Sequence, residues 1–381
     1  MHSAVRLRIN AMKRNNVAHK WTEYQGIQNW DGLLDPLDHH LRMEILRYGR
    51  FVEAAYNSFQ YDVDSPFYAT CRHSKSSLMN RTGLSQTGYR LTKYLRATSG
   101  LELPHWIKKA ANTAMNRSSW IGYVAVCEDK KEIARLGRRD IVIAYRGTAT
   151  CLEWIENLRV PLTELPNNDS YSGQVGPRPM VETGFLSLYS SGTVGLPSLK
   201  QTIHEEVSRL LHSYAREPLS LTITGHSLGA ALAILTAYDI KVTFERVPLV
   251  TVVSFGGPRV GNKDFRRSLD EQGTKVLRIV NSDDIVTKVP GFVVDDDNVE
   301  ALSCPWWIKQ CMMNMQSQYW LYSEVGKELK VNNKKSWYVN GGIMNMGMHH
   351  DLKTYLHLVE GFVSSNSTLD GSTKAVADGY F

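Results

Sequence analysis

The run Leu219-Ser-Leu-Thr-Ile-Thr224, the turn Gly225-His226-Ser227-Leu228-Gly229 and the small-residue stretch Ala230-Ala-Leu-Ala-Ile-Leu235 follow one another without a gap. They read as a strand, a sharp turn and a helix with a serine at the apex, the pattern of a nucleophile elbow. In so tight a turn the strand end and the first helical turn lie so close that a side chain at either glycine would clash. The serine is thereby held clear of its neighbours. A Gly-x-Ser-x-Gly pattern alone arises by chance in about one chain of this length in ten. The flanking strand and Ala-rich helix therefore carry the specificity, and they place the serine in an α/β protein.

Other stretches extend the same reading. Leu41-Arg-Met-Glu-Ile-Leu-Arg-Tyr48, continuing to Phe51, Val52, Ala55 and Tyr56, repeats apolar residues at spacings of three and four and predicts an amphipathic helix. Ile121–Val126 and Ile141–Tyr145 flank the charged stretch Glu128–Asp140 and predict an antiparallel pair at the entry to a sheet. Ile203, Val207, Leu210, Leu211 and Tyr214 mark one face of a helix that stops before Pro218. The elbow helix runs to about Tyr238, and Leu249–Phe255 and Val276–Val280 are apolar strands. Such strands alternating with helices predict a mostly parallel central sheet flanked by helices on both faces.

With 381 residues, 43% hydrophobic and 22% charged, the chain has material for a large core. Four regions are expected: a basic segment 1–20, disordered or a targeting remnant; a helical N-terminal region 21–110 packed on the core; the α/β core 111–363; and a flexible tail 364–381. Five of the six net positive charges sit in residues 1–20, as Arg6, Arg8, Lys13, Arg14 and Lys20 with no acid among them. The remainder is nearly neutral, which argues against nucleic acid as a partner. The basic start is like the end of an organelle transit peptide, with a solvated terminus as the alternative, and it has no apolar core of a secretory signal. No apolar run approaches the roughly 20 residues that cross a bilayer, so membrane contact is expected to be peripheral. Cys71, Cys127, Cys151, Cys304 and Cys311 are odd in number, form no Cys-x-x-Cys pair, and read as reduced thiols.

A serine hydroxyl is a poor nucleophile at neutral pH; it needs a histidine to take its proton and a carboxylate to fix that histidine's tautomer. In elbow enzymes the chain order is serine, acid, histidine. His349, His350 and His357 follow any plausible acid. His357 has helical spacing with Leu352, Tyr355, Leu356 and Val359 and reads as a packed or capping residue. His350 is preferred as the base, with His349 the alternative. The strand Val276–Val280 runs into Asn281-Ser-Asp-Asp284, placing carboxylates at a strand's carboxyl end, where active sites of open α/β sheets collect. Asp284 is preferred to Asp283; both can also serve simply as turn residues. The N–H of Leu228 supplies one oxyanion donor. Thr148, in the Arg146-Gly-Thr-Ala-Thr150 turn after a strand, offers a second through its N–H and hydroxyl. No metal or organic cofactor is expected.

Several motifs in the same order resemble the class 3 lipases, which include fungal triacylglycerol lipases, and within them the plant class I phospholipase A1 group. They are Trp30-Asp-Gly-Leu-Leu-Asp-Pro-Leu-Asp38, Arg146–Trp154, Val181-Glu-Thr-Gly-Phe185, Gly225–Ala230, Phe255-Gly-Gly-Pro-Arg-Val-Gly261, Lys288-Val-Pro-Gly291 and His350–His357. The resemblance implies a fungal-lipase-like α/β-hydrolase fold, with Ser227 as nucleophile, Asp284 as acid, His350 as base, and Thr148 and Leu228 as oxyanion donors. It departs from the fungal pattern at Thr287, where proline is usual and whose loss is expected to loosen the turn after Asp284. Glu182 stands where fungal members have histidine, and the spacing from His350 to Tyr355 is longer.

Cys151, Leu152, Ile155 and Leu158 share one helical face, opposite Glu153, Glu156 and Asn157, at the place of the fungal lid. Residues 151–158 are expected to be a lid, with Trp154 as a lipid contact, or else an ordinary surface helix. Trp306, Trp307, Met312, Met313, Met315 and Trp320 line an acyl tunnel or belong to the core. The resemblance implies an acyl hydrolase cleaving the sn-1 ester of membrane glycerolipids, phospholipids or galactolipids, peripheral to chloroplast membranes or else cytoplasmic. The alternative is a catalytically silent interaction module on the same scaffold, which the complete set of expected residue types disfavours.

Overall fold

A computed structural model describes residues 17–98, 118–148, 161–166, 178–290, 292–293, 321–332 and 346–364. The expected lid (Cys151, Leu152, Trp154, Ile155), the Trp306–Trp320 cluster, most of the basic segment and the tail lie outside them.

Seven strands form one sheet whose spatial order follows the chain: β1 (Tyr89–Thr98), β2 (Ser118–Cys127), β3 (Arg139–Tyr145), β4 (Leu219–His226), β5 (Leu249–Phe255), β6 (Lys275–Asn281) and β7 (Lys327–Val331). The pairs β1/β2 and β2/β3 are antiparallel. Every pairing from β3 to β7 is parallel. Successive strand residues point to opposite faces, and both faces here are apolar. Thus Val142 and Ala144 of β3 join one core while Ile141, Ile143 and Tyr145 join the other.

Among the described residues the helices of seven residues or more are α1 (His39–Ser58), α2 (Lys130–Leu136), α3 (Thr183–Ser190), α4 (Leu199–Ser213), α5 (Leu228–Thr243), α6 (Lys263–Glu271) and α7 (Leu352–Gly361). The first core gathers α1 and α7; the second gathers α3, α4, α5 and α6. Asp38 opens α1 by accepting the N–H groups of His40 and Leu41 at 2.8 and 3.0 Å. Ser198 and Gln201 form a reciprocal capping box at the start of α4. Nearly every residue of α5 is buried, which its Ala-rich, mostly apolar sequence allows, and its buried acid Asp239 accepts the Tyr189 hydroxyl at 2.7 Å.

Three findings differ from expectation. The N-terminal stretch read as helical also supplies the edge strand β1, whose register slips between Leu91 and Lys93 and again between Leu95 and Arg96. The charged stretch between β2 and β3 holds the short helix α2, capped by Asp129, rather than a plain hairpin loop. The elbow helix continues past Tyr238 to Thr243.

At the amino end of the sheet, α1 is fastened by a buried polar network. Arg47 donates to Glu44 at 2.6 and 3.1 Å and to Asp140 at 3.1 Å, and Asp140 also accepts Tyr89 and Ser220 at 2.7 Å each. Buried Arg138, 3.5 Å from Glu44, supplies the second positive charge, so two cations offset two carboxylates, as burial requires. The opposite, carboxyl ends of β3 to β6 are thereby left to the groups described next.

Candidate active site

Ser227 joins β4 to α5 with φ 57° and ψ −126°, a positive φ that a non-glycine residue adopts only under tertiary constraint. That constraint is visible. A Cβ on Gly225 would lie 2.2 Å from the carbonyl oxygen of Gly229, and one on Gly229 would lie 2.5 Å from that of Arg146. The Ser227 N–H donates to the Phe255 carbonyl on β5 at 3.0 Å. Leu228 begins α5, so its amide belongs to the helix N-terminus, whose N–H groups lack intrahelical acceptors and favour negative charge.

Asp284 and His350, 66 residues apart in sequence, meet at 2.7 Å between Oδ2 and Nδ1, and both are buried. Asp284 Oδ2 also accepts the Tyr355 hydroxyl at 2.6 Å, while Oδ1 accepts the Val286 N–H at 2.9 Å. Asp283 is exposed. His349 is half-buried, and its carbonyl accepts Asn281 Nδ2 at 2.9 Å. The structure thus pairs Asp284 with His350 among the candidates. In place of the missing proline, the Thr287 hydroxyl donates to the Asp284 carbonyl at 2.9 Å and closes the turn after Asp284.

His350 lies against the elbow. Its ring is 4.6 Å, centroid to centroid, from that of His226, the residue before Ser227. His226 Nε2 meets the His350 carbonyl at 2.6 Å, and its Nδ1 meets the Tyr56 hydroxyl at 2.7 Å. Burial first, and then the neighbouring His350, push the His226 imidazole well below its ordinary pKa, so it is neutral.

The turn after β3 reaches the same place, because a Cβ on Gly147 would lie 2.9 Å from the Ser227 Cβ and 2.4 Å from the Tyr56 hydroxyl. Arg146 holds this turn by donating to the carbonyls of Gly147 and Trp120 at 2.6 and 3.0 Å, its guanidinium 3.6 Å over the Phe59 ring. Burial lowers its pKa to about 10. Thr148 follows, and among the described residues its buried Oγ1 has no hydrogen-bond partner. Glu182, in place of the fungal histidine, caps α3 by accepting the Phe185 N–H at 2.6 Å. Burial pushes its pKa up to about 7.

Sequence reasoning did not assign roles to His226, Tyr56 or Arg146. His226 sits inside the elbow motif, but one of its partners is a main-chain carbonyl, which no residue type announces, and the other, Tyr56, is 170 residues away in sequence. Tyr355 was legible only as a buried helical position.

Residues 142–294 match the sequence model of the family described as Lipase (class 3). Phospholipase A(1) DAD1, chloroplastic, of Arabidopsis thaliana is 59% identical over 356 residues, covering 92% of this chain and 78% of that protein. The chain belongs to the class 3 lipases. This class 3 lipase is also 39% identical over 359 residues to the galactolipase DONGLE, chloroplastic, of A. thaliana, covering 89% of the chain and 69% of that protein. Among solved structures, the nonglycosylated LIP2 lipase of Yarrowia lipolytica aligns with a TM-score of 0.45 at 20% identity, over 67% of this class 3 lipase and 77% of that chain.

Proposed function

We propose that this class 3 lipase is a serine acyl hydrolase that releases fatty acids from the sn-1 ester of membrane glycerolipids. The observation that carries the reading is the Asp284–His350 pair at 2.7 Å, with the His350 ring packed on that of His226, the residue preceding Ser227. Asp284 holds Nδ1 of the imidazole, which makes Nε2 the basic nitrogen. Nε2 takes the Ser227 proton as Oγ attacks the acyl carbonyl, and then returns it to the leaving alcohol. The resulting acyl-enzyme is hydrolysed by a water that the same imidazole activates. The Leu228 N–H at the head of α5 and the Thr148 turn face the oxyanion. No cofactor enters these steps.

The substrate class rests on the named activities of the relatives, one a phospholipase A1 and one a galactolipase, and so does placement in the chloroplast. No helix among the described residues is long and apolar enough to cross a membrane, and contact with the lipid surface is proposed to be peripheral. A fluorophosphonate probe, combined with product analysis on phospholipid and galactolipid vesicles, tests the reading. Wild type should be labelled and should release sn-1 fatty acid, and Ser227→Ala should do neither. An unlabelled wild type would instead indicate a silent module on this scaffold.

A further inference from the structure

The Gly-x-Ser-x-Gly pattern leaves the residue before the serine unspecified, yet here it is buried and bonded through both ring nitrogens. Its Nε2 lies 2.6 Å from the main-chain carbonyl of His350, and its Nδ1 lies 2.7 Å from the Tyr56 hydroxyl. A carbonyl oxygen only accepts, so Nε2 must carry the proton. In the neutral ring Nδ1 is then the acceptor, and the Tyr56 hydroxyl donates to it. The two partners thus fix the tautomer of the uncharged imidazole.

The three residues come from distant segments: Tyr56 from the end of α1, His226 from the end of β4, and His350 from just before α7. Asp284 holds the His350 ring by Nδ1, and Asn281 Nδ2 holds the carbonyl of the preceding residue, His349, at 2.9 Å; neither bond engages the His350 carbonyl. The bond to the carbonyl holds the backbone. Tyr56 also sits against the oxyanion turn, its hydroxyl 2.4 Å from where a Cβ on Gly147 would lie. One line of contacts therefore runs from that turn, through Tyr56 and His226, to the main chain of the base.

We propose that His226 is a positioning residue: as the neutral Nε2–H tautomer set by Tyr56, it pins the main chain of His350 to the elbow so that base and nucleophile keep a fixed separation. This rests on the reading of His350 as the general base. It predicts a defect in the chemical step rather than in lipid binding, since a misplacement of about 1 Å costs up to about a hundredfold in rate.

The test compares wild type, His226→Phe and His226→Gln on mixed-micelle phospholipid, with selective histidine 15N NMR on wild type. His226→Phe keeps a ring of similar size without the donor and should lower kcat about 10- to 100-fold with KM nearly unchanged. His226→Gln restores an N–H near the Nε2 position and should recover most of that loss. In wild type at pH 7, His226 should show a protonated Nε2 and an unprotonated Nδ1. Equal kcat in His226→Phe, a Gln variant no better than Phe, or the opposite tautomer in wild type would each overturn the inference. The NMR arm decides even where a variant does not fold. Absence of Ser227-dependent fluorophosphonate labelling in wild type is a different result: it would overturn the hydrolase reading itself, and with it any base to position.

Discussion

His350 and Tyr355 converge on one oxygen: Asp284 Oδ2 accepts the imidazole Nδ1–H at 2.7 Å and the phenol O–H at 2.6 Å. The longer spacing between the two residues does not keep them apart, because Tyr355 projects from α7 while His350 lies just before that helix. The carboxylate is thus gripped from several directions, with Val286 N–H on its other oxygen.

Replacing Asp284 by Asn removes the charge that stabilises the imidazolium and offers His350 the wrong tautomer. We expect kcat to fall about ten-thousandfold while the protein still folds. Initial rates and the rate of fluorophosphonate labelling, alongside the thermal unfolding midpoint, provide the check; a loss below tenfold would contradict the assignment.

Tyr355→Phe keeps the ring and removes one donor to Asp284. It also leaves the buried Asn281 N–H, which meets the Tyr355 oxygen at 3.2 Å, without that acceptor. Urea unfolding should show a loss of about 1–3 kcal/mol. Steady-state kinetics should show about a tenfold lower kcat through misorientation of the acid. Unchanged stability together with unchanged kcat would remove Tyr355 from the site.

For Thr148, the informative substitution is valine, which preserves shape and deletes only the buried hydroxyl. A lost oxyanion donor lowers kcat by about 10²–10³ with little change in KM. A variant within twofold of wild type would leave only the main-chain N–H groups in that role.

Glu182 gives stability a pH dependence of unusual sign. Its folded pKa, raised to about 7 from an ordinary 4.5, means that the native state holds the proton more tightly than the unfolded chain. The stabilisation is complete below about pH 4.5 and is lost as pH rises to about 7. With 1% of its surface exposed, the effect is little screened and amounts to about 3 kcal/mol. Glu182→Gln keeps an oxygen for the Phe185 N–H and should abolish this component, so its advantage over wild type should grow between pH 4.5 and 7. Parallel unfolding curves for the two proteins across that range would refute it.

The elbow was legible because its determinants are local: an apolar strand, glycines where chains touch, and a serine between them. Asp284 and His350 were legible one at a time, from chain order and strand ends, whereas their bond is a tertiary fact. Strand β1 escaped because its two register slips break the alternation that marks a strand, and Arg90, Lys93 and Arg96 interrupt its apolar residues. Strand β7 is short, with Lys327, Glu328 and Lys330 exposed along a sheet edge, and its sequence resembles a loop. In the sequence Thr287 stands out only by the proline it replaces, and the fold alone shows its hydroxyl closing the turn.

Segments from opposite ends of the described chain are tied together: Leu37 N–H donates to the Val363 carbonyl at 3.0 Å, and Arg42 to that of Glu360 at 3.1 Å. A polypeptide leaving the ribosome displays Ser227 more than a hundred residues before His350 has been synthesised. Its hydrolytic power would therefore switch on only once that later segment has docked beside α1, which delays attack on lipid until these distant stretches have come together.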